Sequence, residues 1–297
     1  MTDAPSERTT DAALQGMIRP HEKSSHEAVR YRFSVGPWRW LELACPNIGG
    51  RSFPMNQRWL RAIPAEAPAW TPTLYMGVIP LWLAIGHWNL RSRSPRTRWL
   101  SWMAIGGMLG SLGWFGAGWL LHETFTASGQ PVPEWVAEPV GGLYWLMTVA
   151  LPGFALFRYP AKLWTFTALA LSILAAHGWD SLRNSRFRRF RRRMMLVGSI
   201  GIVVLVLLHM PSIVFSQFSV SVPDSIVYGP FDQVGARYGA RISVLHMVAV
   251  AGIGYALMQV RLHHAHAAGL AVAVVTVIEL SIAHTWLLPT VPNDLFE

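Results

Sequence analysis

The sequence contains one cysteine and few charged residues. A lone thiol, Cys45, excludes an internal disulfide, a CxxC redox motif and a zinc site built on cysteines. Charged residues make up 14% of the chain, whereas hydrophobic residues make up 52%. Because an ionised side chain at the middle of a bilayer costs about 2.5 to 3.5 kcal/mol on insertion scales, this composition favours a protein that resides in lipid.

The motifs of several enzyme classes are also absent from the sequence. There is no GxSxG, no HExxH, no phosphate-cradling glycine loop and no pair of catalytic carboxylates. The histidines His263, His264 and His266 have no carboxylate or thiol nearby, so we interpret them as a solvated cytoplasmic turn. We therefore expect no metal and no cofactor, and the sequence assigns no catalytic residue.

The net charge of +9 comes largely from short loops between apolar runs. Residues 91–98 carry four arginines (RSRSPRTR), and residues 183–193 carry seven (RNSRFRRFRRR). This distribution follows the positive-inside rule of membrane proteins. Since the rule accounts for the charge, no nucleic-acid partner is expected.

Uncharged runs of about 20 residues are long enough to cross about 30 Å of hydrocarbon, and they predict an all-α, polytopic transmembrane helical bundle. Residues 73–290 form this predicted domain, with about six spans. The spans lie near residues 73–90, 99–121, 161–179, 194–213, 241–260 and 267–288. Residues 291–297 are predicted to form an outer tail.

Loop charge decides how the uncharged run at 139–157 is interpreted. Both arginine loops must face the cytoplasm, so an even number of spans separates them. The spans near 99–121 and 161–179 supply these two crossings. The run at 139–157, which Gly and Pro residues interrupt, is therefore predicted to be a re-entrant or interfacial segment rather than a seventh span.

The predicted topology places residues 1–72 on the outer side of the membrane. Residues 1–30 are polar and are expected to be disordered, whereas residues 31–72 are rich in Trp and Pro and are predicted to lie at the interface. The sequence shows neither a signal peptide nor a preceding span that would carry residues 1–72 across the membrane. We therefore expect further N-terminal spans in the natural protein or its ancestor; late insertion of the N-terminus is the alternative.

The run LPGFALFRYPAKLW places Arg158, Tyr159 and Lys162 at the outer mouth of the third span. Pro160 lacks an amide hydrogen and suits the first turn of a helix, so FRYP is predicted to be the bend that begins this span. The two cations either anchor the helix to lipid headgroups or bind the phosphate of a lipid carrier.

Other polar residues at the same outer depth form a predicted cavity. Glu279 is the only acidic residue within a predicted span, and it is either a functional group or a protonated or histidine-paired packing residue. Arg237 or Arg241 is expected to assist the phosphate site. The other members of the predicted outer cavity are Glu42, Tyr75, His122, Glu123, His209, His246 and His284.

Small residues recur at helical spacing in the second span, at Gly106, Gly110, Gly113 and Ala117. Such a face lets two helices approach closely in lipid, where no hydrophobic driving force brings helices together. We interpret it as packing within the chain. A homo- or hetero-oligomer formed through Gly106 and Gly110 is the alternative.

Four segments follow one another from about residue 31 to the C-terminus: SVGPWRWLELACPNIGG, TLYMGVIPLWLAI, LPGFALFRYPAKLWTFTALALSILAAHGWDSL and VIELSIAHTWLLPTVPNDLFE. This series resembles the YfhO-type bacterial membrane proteins. The most specific part is FRYPAK followed by a small-residue helix that ends at Gly178, Trp179 and Asp180.

The resemblance implies a GT-C-like, glycosyltransferase-related protein of the bacterial inner membrane, multi-pass, with an extracytoplasmic active face. Such a protein binds a polyprenyl-phosphate-linked sugar, here through Arg158 and Lys162, and passes the sugar to a cell-envelope polymer. The catalytic acidic residue of GT-C enzymes follows a first span, and this chain has no span before residue 73. Family members also continue into an outer soluble domain, whereas this chain stops at Glu297. We therefore expect a chain that is truncated at both ends and lacks the catalytic acid.

A different class of function stays open beside this one. A non-enzymatic transporter, flippase or scaffold subunit of a membrane complex would use Glu279 and the histidines to line a polar path.

Overall fold

The computed structural model of the chain describes residues 30–63, 65–66, 68–133, 136, 139–182, 184–209, 222, 227–261 and 264–288. The predictions made for residues 1–29, for the tail at 291–297 and for His263 lie outside these ranges.

The described residues form eight α-helices and five short 3-10 helices, and no β-strand occurs among them. The α-helices are α1 (Val78–His87), α2 (Pro95–Ser111), α3 (Ala117–Ala127), α4 (Leu143–Ala150), α5 (Trp164–Asp180), α6 (Asn184–His209), α7 (Gln233–Arg261) and α8 (Ala265–His284). The 3-10 helices are Pro37–Leu43, Trp59–Ala62, Phe154–Leu156, Pro160–Leu163 and Thr285–Leu287. The all-helical class predicted from the sequence is confirmed for this part of the chain.

The chain divides into two compact units. The first unit comprises Met1–Pro37, Ala67–Thr71 and Trp99–Ala170, and the second comprises Trp38–Glu66, Pro72–Arg98 and Leu171–Glu297. Within the described residues, two helical stretches are long and apolar enough to cross a membrane, Gln233–Arg261 and Ala265–Leu287, as judged by length and composition.

The continuous helix predicted over residues 99–121 is broken in the structure. Helix α2 ends at Ser111, and α3 begins only at Ala117. Gly113 turns the chain with a φ of +53°, a conformation that favours glycine. The backbone N–H of Trp114 donates to Ser34 Oγ at 2.8 Å. Because Gly113 and Ala117 lie outside α2, the four small residues do not share one helix face as the sequence predicted.

The predicted starts of three other spans also differ from the helix starts. Helix α1 begins at Val78 instead of residue 73, because Gly77 before it has a φ of +95°. Helix α7 begins at Gln233 instead of residue 241, because the Asp232 carboxylate caps it by accepting the Gly235 N–H at 2.8 Å. Helix α6 begins at Asn184 and therefore includes arginines that were predicted to lie in a loop.

The core of the first unit is built on aromatic residues. Tyr31, Tyr144 and Leu163 are buried together, and the Tyr144 hydroxyl donates to the Phe157 carbonyl at 2.7 Å. Leu163 also covers Gly110 of α2. Of the two glycines named for the alternative oligomer face, Gly110 is therefore used for packing within the chain, whereas a Cβ on Gly106 would meet no atom within 4 Å.

The second unit is built around α7, which packs against α6, α8 and α1. Gly254 lets α7 approach Ile79 of α1, since a Cβ at this position would lie 3.1 Å from the Ile79 side chain. The irregular segment before α1 is tied to the last helices. Asn47 donates from Nδ2 to the Ala283 carbonyl at 2.9 Å and accepts from Trp286 Nε1, also at 2.9 Å.

Candidate functional site

The FRYP bend lies in the first unit. Pro160 begins a 3-10 helix that continues into α5, as predicted, and Tyr159 before it has a left-handed backbone with a φ of 69°. Two backbone hydrogen bonds hold this bend: Tyr159 N–H donates to the Arg30 carbonyl (3.4 Å), and Ala161 N–H donates to the Phe33 carbonyl (3.2 Å). A non-glycine residue at positive φ costs free energy, so these contacts keep the bend in place.

Aromatic rings surround the side chain of Lys162. Its ammonium lies 5.0 Å from the ring centroid of Tyr159, 5.5 Å from that of Trp70 and 5.8 Å from that of Phe157. Trp70 and Tyr159 stack with centroids 4.8 Å apart, and Phe33 packs edge-on against both. We call these five residues the Lys162 cluster. Cation–π attraction at such distances contributes about 0.5 to 1 kcal/mol at exposed sites, so the rings favour one position of the ammonium.

The two cations of the bend remain accessible. Arg158 and Lys162 are both exposed, and Trp70 beside them is 49% exposed. An ammonium offers a compact charge with three donors, and a guanidinium offers a planar fork that binds two oxygens of a phosphate. The bend therefore presents two complementary donors for an anionic group next to exposed aromatic surface.

A second group of polar residues converges in the second unit, and we call it the Glu279 cluster. Glu279 of α8 is only 2% exposed. Its Oε1 accepts hydrogen bonds from the Tyr75 hydroxyl and from the Val78 backbone N–H, the latter at 2.8 Å. His246 Nε2 of α7 lies 3.9 Å from the same oxygen. The Tyr75 ring is edge-on to the imidazoles of His246 and His284, with centroid distances of 6.0 and 6.3 Å. The Glu279 cluster therefore consists of four of the predicted cavity residues: Tyr75, His246, Glu279 and His284.

Glu42, another member of the predicted outer cavity, has its carboxylate bound by groups of the protein. It is buried, and its carboxylate pairs with the guanidinium of Arg39 at 2.9 Å. It also accepts the Leu74 backbone N–H at 3.3 Å. These contacts fix the Glu42 carboxylate inside the protein. Loss of either partner of this buried ion pair would leave an uncompensated charge.

The remaining predicted site residues lie on α3, α6 and α7. In the first unit, His122 is half-buried and Glu123 is exposed on α3. In the second unit, Arg237 is exposed and Arg241 is half-buried on α7. His209 is the last residue of α6, and its side chain lies outside the described part of the chain.

The sequence did not predict a polar cavity of about 470 Å³ in the second unit. His87, at the end of α1, lies in its wall with Nδ1 3.1 Å from Ser181 Oγ and Nε2 3.3 Å from Thr97 Oγ1. The His177 imidazole stacks on the His87 ring, with centroids 5.9 Å apart. These groups come from three separate segments, and no spacing in the sequence links them.

No protein-family model, curated protein or solved structure matches this chain. The YfhO-type resemblance therefore stays a prediction.

Proposed function

We propose that this chain is a multi-pass protein of the bacterial inner membrane that binds a polyprenyl-phosphate-linked sugar at the Lys162 cluster. The protein is YfhO-like and related to GT-C glycosyltransferases, and its sugar serves extracytoplasmic glycosylation of a cell-envelope polymer. The observation that carries the proposal is the exposed Lys162 ammonium, held among aromatic rings and accompanied by the exposed guanidinium of Arg158.

Exposed apolar side chains support the membrane location. On α8, Leu270, Val277 and Ile282 are 69%, 65% and 58% exposed. Monomeric soluble proteins rarely expose such continuous apolar surface. In the proposal, about six spans cross the bilayer, and the two arginine-rich segments face the cytoplasm according to the positive-inside rule.

The composition of the Lys162 cluster supports the choice of a lipid phosphate over a free anion. Trp and Tyr rings prefer the headgroup level of a membrane, which is also the depth of a lipid-linked phosphate. Basic side chains near this level are attracted to anionic headgroups. Together with the neighbouring Arg158, the cluster thus combines a preference for the interface with two donors suited to phosphate oxygens.

A photo-crosslinking experiment tests this proposal. The full chain, reconstituted in nanodiscs, is labelled with a photoreactive polyprenyl-phosphate probe. Replacing both cations (Arg158→Ala with Lys162→Ala) is expected to reduce labelling about tenfold or more, since each charged hydrogen bond contributes about 1.5 to 3 kcal/mol. Lys162→Arg, which keeps the charge, is expected to retain most of the labelling.

Two controls separate phosphate binding from a general anchoring role. The double variant Arg96→Ala with Arg98→Ala removes the same charge from two exposed arginines of α2 and is expected to label like the wild type. A polyprenol probe without phosphate is expected to label the wild type and the Arg158 and Lys162 double variant equally. If Arg158→Ala with Lys162→Ala left labelling by the phosphate probe unchanged, the two cations would only anchor the helix.

One observation favours the second candidate, a transporter, flippase or scaffold subunit. The Glu279 cluster joins titratable side chains of α7 and α8 around a buried carboxylate. Ionisable groups at membrane depth often mark ion or substrate paths. Uptake of a labelled substrate into proteoliposomes, abolished by Glu279→Gln, would favour this candidate over a sugar-binding role.

A further inference from the structure

The Glu279 cluster has polar atoms that the protein does not satisfy. Glu279 Oε1 accepts two hydrogen bonds, but Oε2 has no hydrogen-bond partner among the described residues. The Nε2 atoms of His246 and His284 are buried and, within the same part of the chain, also lack hydrogen-bond partners. Buried polar atoms are paired in the great majority of cases, so three unpaired atoms in one cluster indicate a ligand.

The size of the site limits what this ligand is. Two cavities of the second unit, of about 470 and 430 Å³, are lined by residues other than Glu279, Tyr75, His246 and His284. Tyr75 and Glu279 are joined by a direct hydrogen bond and are only 5% and 2% exposed, so no organic molecule lies between them. Within the described residues, no group of three His, Cys, Asp or Glu side chains is arranged to hold a metal ion. A proton needs no cavity.

We propose that Glu279 and His246 form an internal proton-binding site of this protein, enclosed by Tyr75 and His284. The site stands on its own geometry and does not depend on phosphate binding at the Lys162 cluster.

The chemistry of the site balances without another reactant. A proton that binds the Glu279 carboxylate converts it to a carboxylic acid. Transfer to His246 breaks this O–H bond, forms an N–H bond at Nε2 and leaves a carboxylate beside an imidazolium. His246 Nε2 and Glu279 Oε1 are 3.9 Å apart, which is beyond hydrogen-bond distance, so the transfer requires a side-chain rotation that brings the protonated oxygen to about 3 Å from Nε2.

The charges around the site favour proton uptake by this pair. An isolated ionised carboxylate is costly to bury, and His246 is its basic partner within ion-pair range in the described chain. The groups facing Glu279 are Tyr75 before α1, His246 on α7 and His284 on its own helix. Farther out lie the Cys45 thiol, which interacts electrostatically with Tyr75, and the Arg39–Glu42 ion pair, which holds Leu74.

Proton binding at this site would act on three elements of the second unit. The same carboxylate accepts the Val78 N–H at the start of α1 and the Tyr75 hydroxyl, and it faces His246 on α7. A carboxylic acid is a weaker acceptor than a carboxylate. Protonation of Glu279 therefore weakens the hydrogen bonds that join α8 to Tyr75 and Val78.

Infrared difference spectroscopy tests the proposal on the full chain in nanodiscs. The wild type is expected to show a carboxylic-acid carbonyl band that changes amplitude with pH and shifts in D₂O. Glu279→Gln is expected to lose this band, and Glu123→Gln, which alters an exposed carboxylate, is expected to keep it. A wild type without the band, or a Glu279→Gln variant that retains it, would overturn the proposal.

A second variant gives a decision even where Glu279→Gln does not fold. His246→Gln leaves both hydrogen bonds to Glu279 Oε1 in place. It is expected to move the pH midpoint of the carbonyl band by about one unit or more, since coupled groups titrate as a pair. His264→Gln, at an exposed position before α8, is the matched control and is expected to leave the midpoint unchanged. Equal midpoints in the wild type and His246→Gln would rule out a shared proton.

Discussion

Gly178 of α5 lies against the carbonyl oxygen of Leu83 in α1. A Cβ at position 178 would overlap this oxygen and would lie 2.9 Å from the carbonyl carbon. Glycine therefore lets the two helix backbones approach in a way that no other residue permits. Arg261 donates a hydrogen bond to the carbonyl of the neighbouring Trp179 at 2.8 Å. Its guanidinium carbon also lies 4.2 Å from the centroid of the Trp179 ring. The most specific segment of the YfhO resemblance thus has a packing role in this chain.

Gly178→Ala is expected to lower the free energy of unfolding by about 1 to 3 kcal/mol, the usual cost of overpacking. The matched control is Gly86→Ala in α1, where a Cβ would meet no atom within 4 Å. This control is expected to be neutral or stabilising by up to about 1 kcal/mol, because alanine favours a helix over glycine. Thermal unfolding of the full chain in detergent, followed by circular dichroism, measures both. Equal effects at the two positions would contradict the close approach at Gly178.

The start of α7 is fixed by a carboxylate cap. Asp232 accepts the Gly235 backbone N–H at 2.8 Å and the Gln57 side-chain amide at 3.0 Å. These hydrogen bonds, that from Gly235 first, hold the pKa of Asp232 below its usual range. The adjoining backbone is paired as well, since Asp232 N–H donates to the Asn56 carbonyl at 2.8 Å.

This cap predicts a pH dependence of stability. A carboxyl whose pKa is lower in the folded state stabilises the protein above its unfolded pKa, and this stabilisation is lost as the pH falls through the folded pKa. Between about pH 5 and pH 3, the free energy of unfolding is expected to fall more steeply in the wild type than in Asp232→Asn, which caps without titrating. Denaturant unfolding at several pH values measures the slopes. Identical slopes in the two proteins would show that Asp232 does not contribute to the loss of stability in acid.

The single thiol, Cys45, is half-buried, with Sγ 3.3 Å from Met247 Sδ. Burial raises the pKa of Cys45 to about 11. Since the thiolate is the reactive form, iodoacetamide at about pH 8 is expected to alkylate Cys45 on the order of tenfold to hundredfold more slowly in the native protein than in the denatured chain. Mass spectrometry measures the rates.

A reporter thiol serves as the control for this prediction. Ser128→Cys, combined with Cys45→Ala, places a thiol at an exposed position after α3. It is expected to react at similar rates in the native and denatured chains. Native alkylation of Cys45 as fast as this reporter would show that the thiol is not protected.

Local signals in the sequence predicted some elements well. The start of α5 follows from Pro160, whose ring suits a first helical turn, and the observed helix ends at Asp180, close to the predicted end at 179. Glu279, His246 and His284 share one predicted depth, and the structure places their side chains in one cluster. In these cases a short stretch of sequence, or a count of residues along a helix, contains the needed information.

Other features depend on partners that are distant in the sequence. The break after Ser111 needs Ser34, which receives the Trp114 N–H across 80 positions. The rings around Lys162 include Trp70, which is far upstream of the FRYP bend. An uncharged run does not reveal where another segment will compete for its backbone hydrogen bonds, so the sequence predicts the second span as one helix.

The hydrogen bond from Asn47 to the Ala283 carbonyl joins residues that are 236 positions apart. Ribosomes add about 5 to 20 residues per second, so Asn47 is synthesised roughly ten to fifty seconds before its partner. During this interval the amide must use temporary partners. The second unit therefore cannot complete this contact until α8 has been synthesised. A pause in translation before α8 would extend the time for which the segment around Asn47 is exposed to proteases.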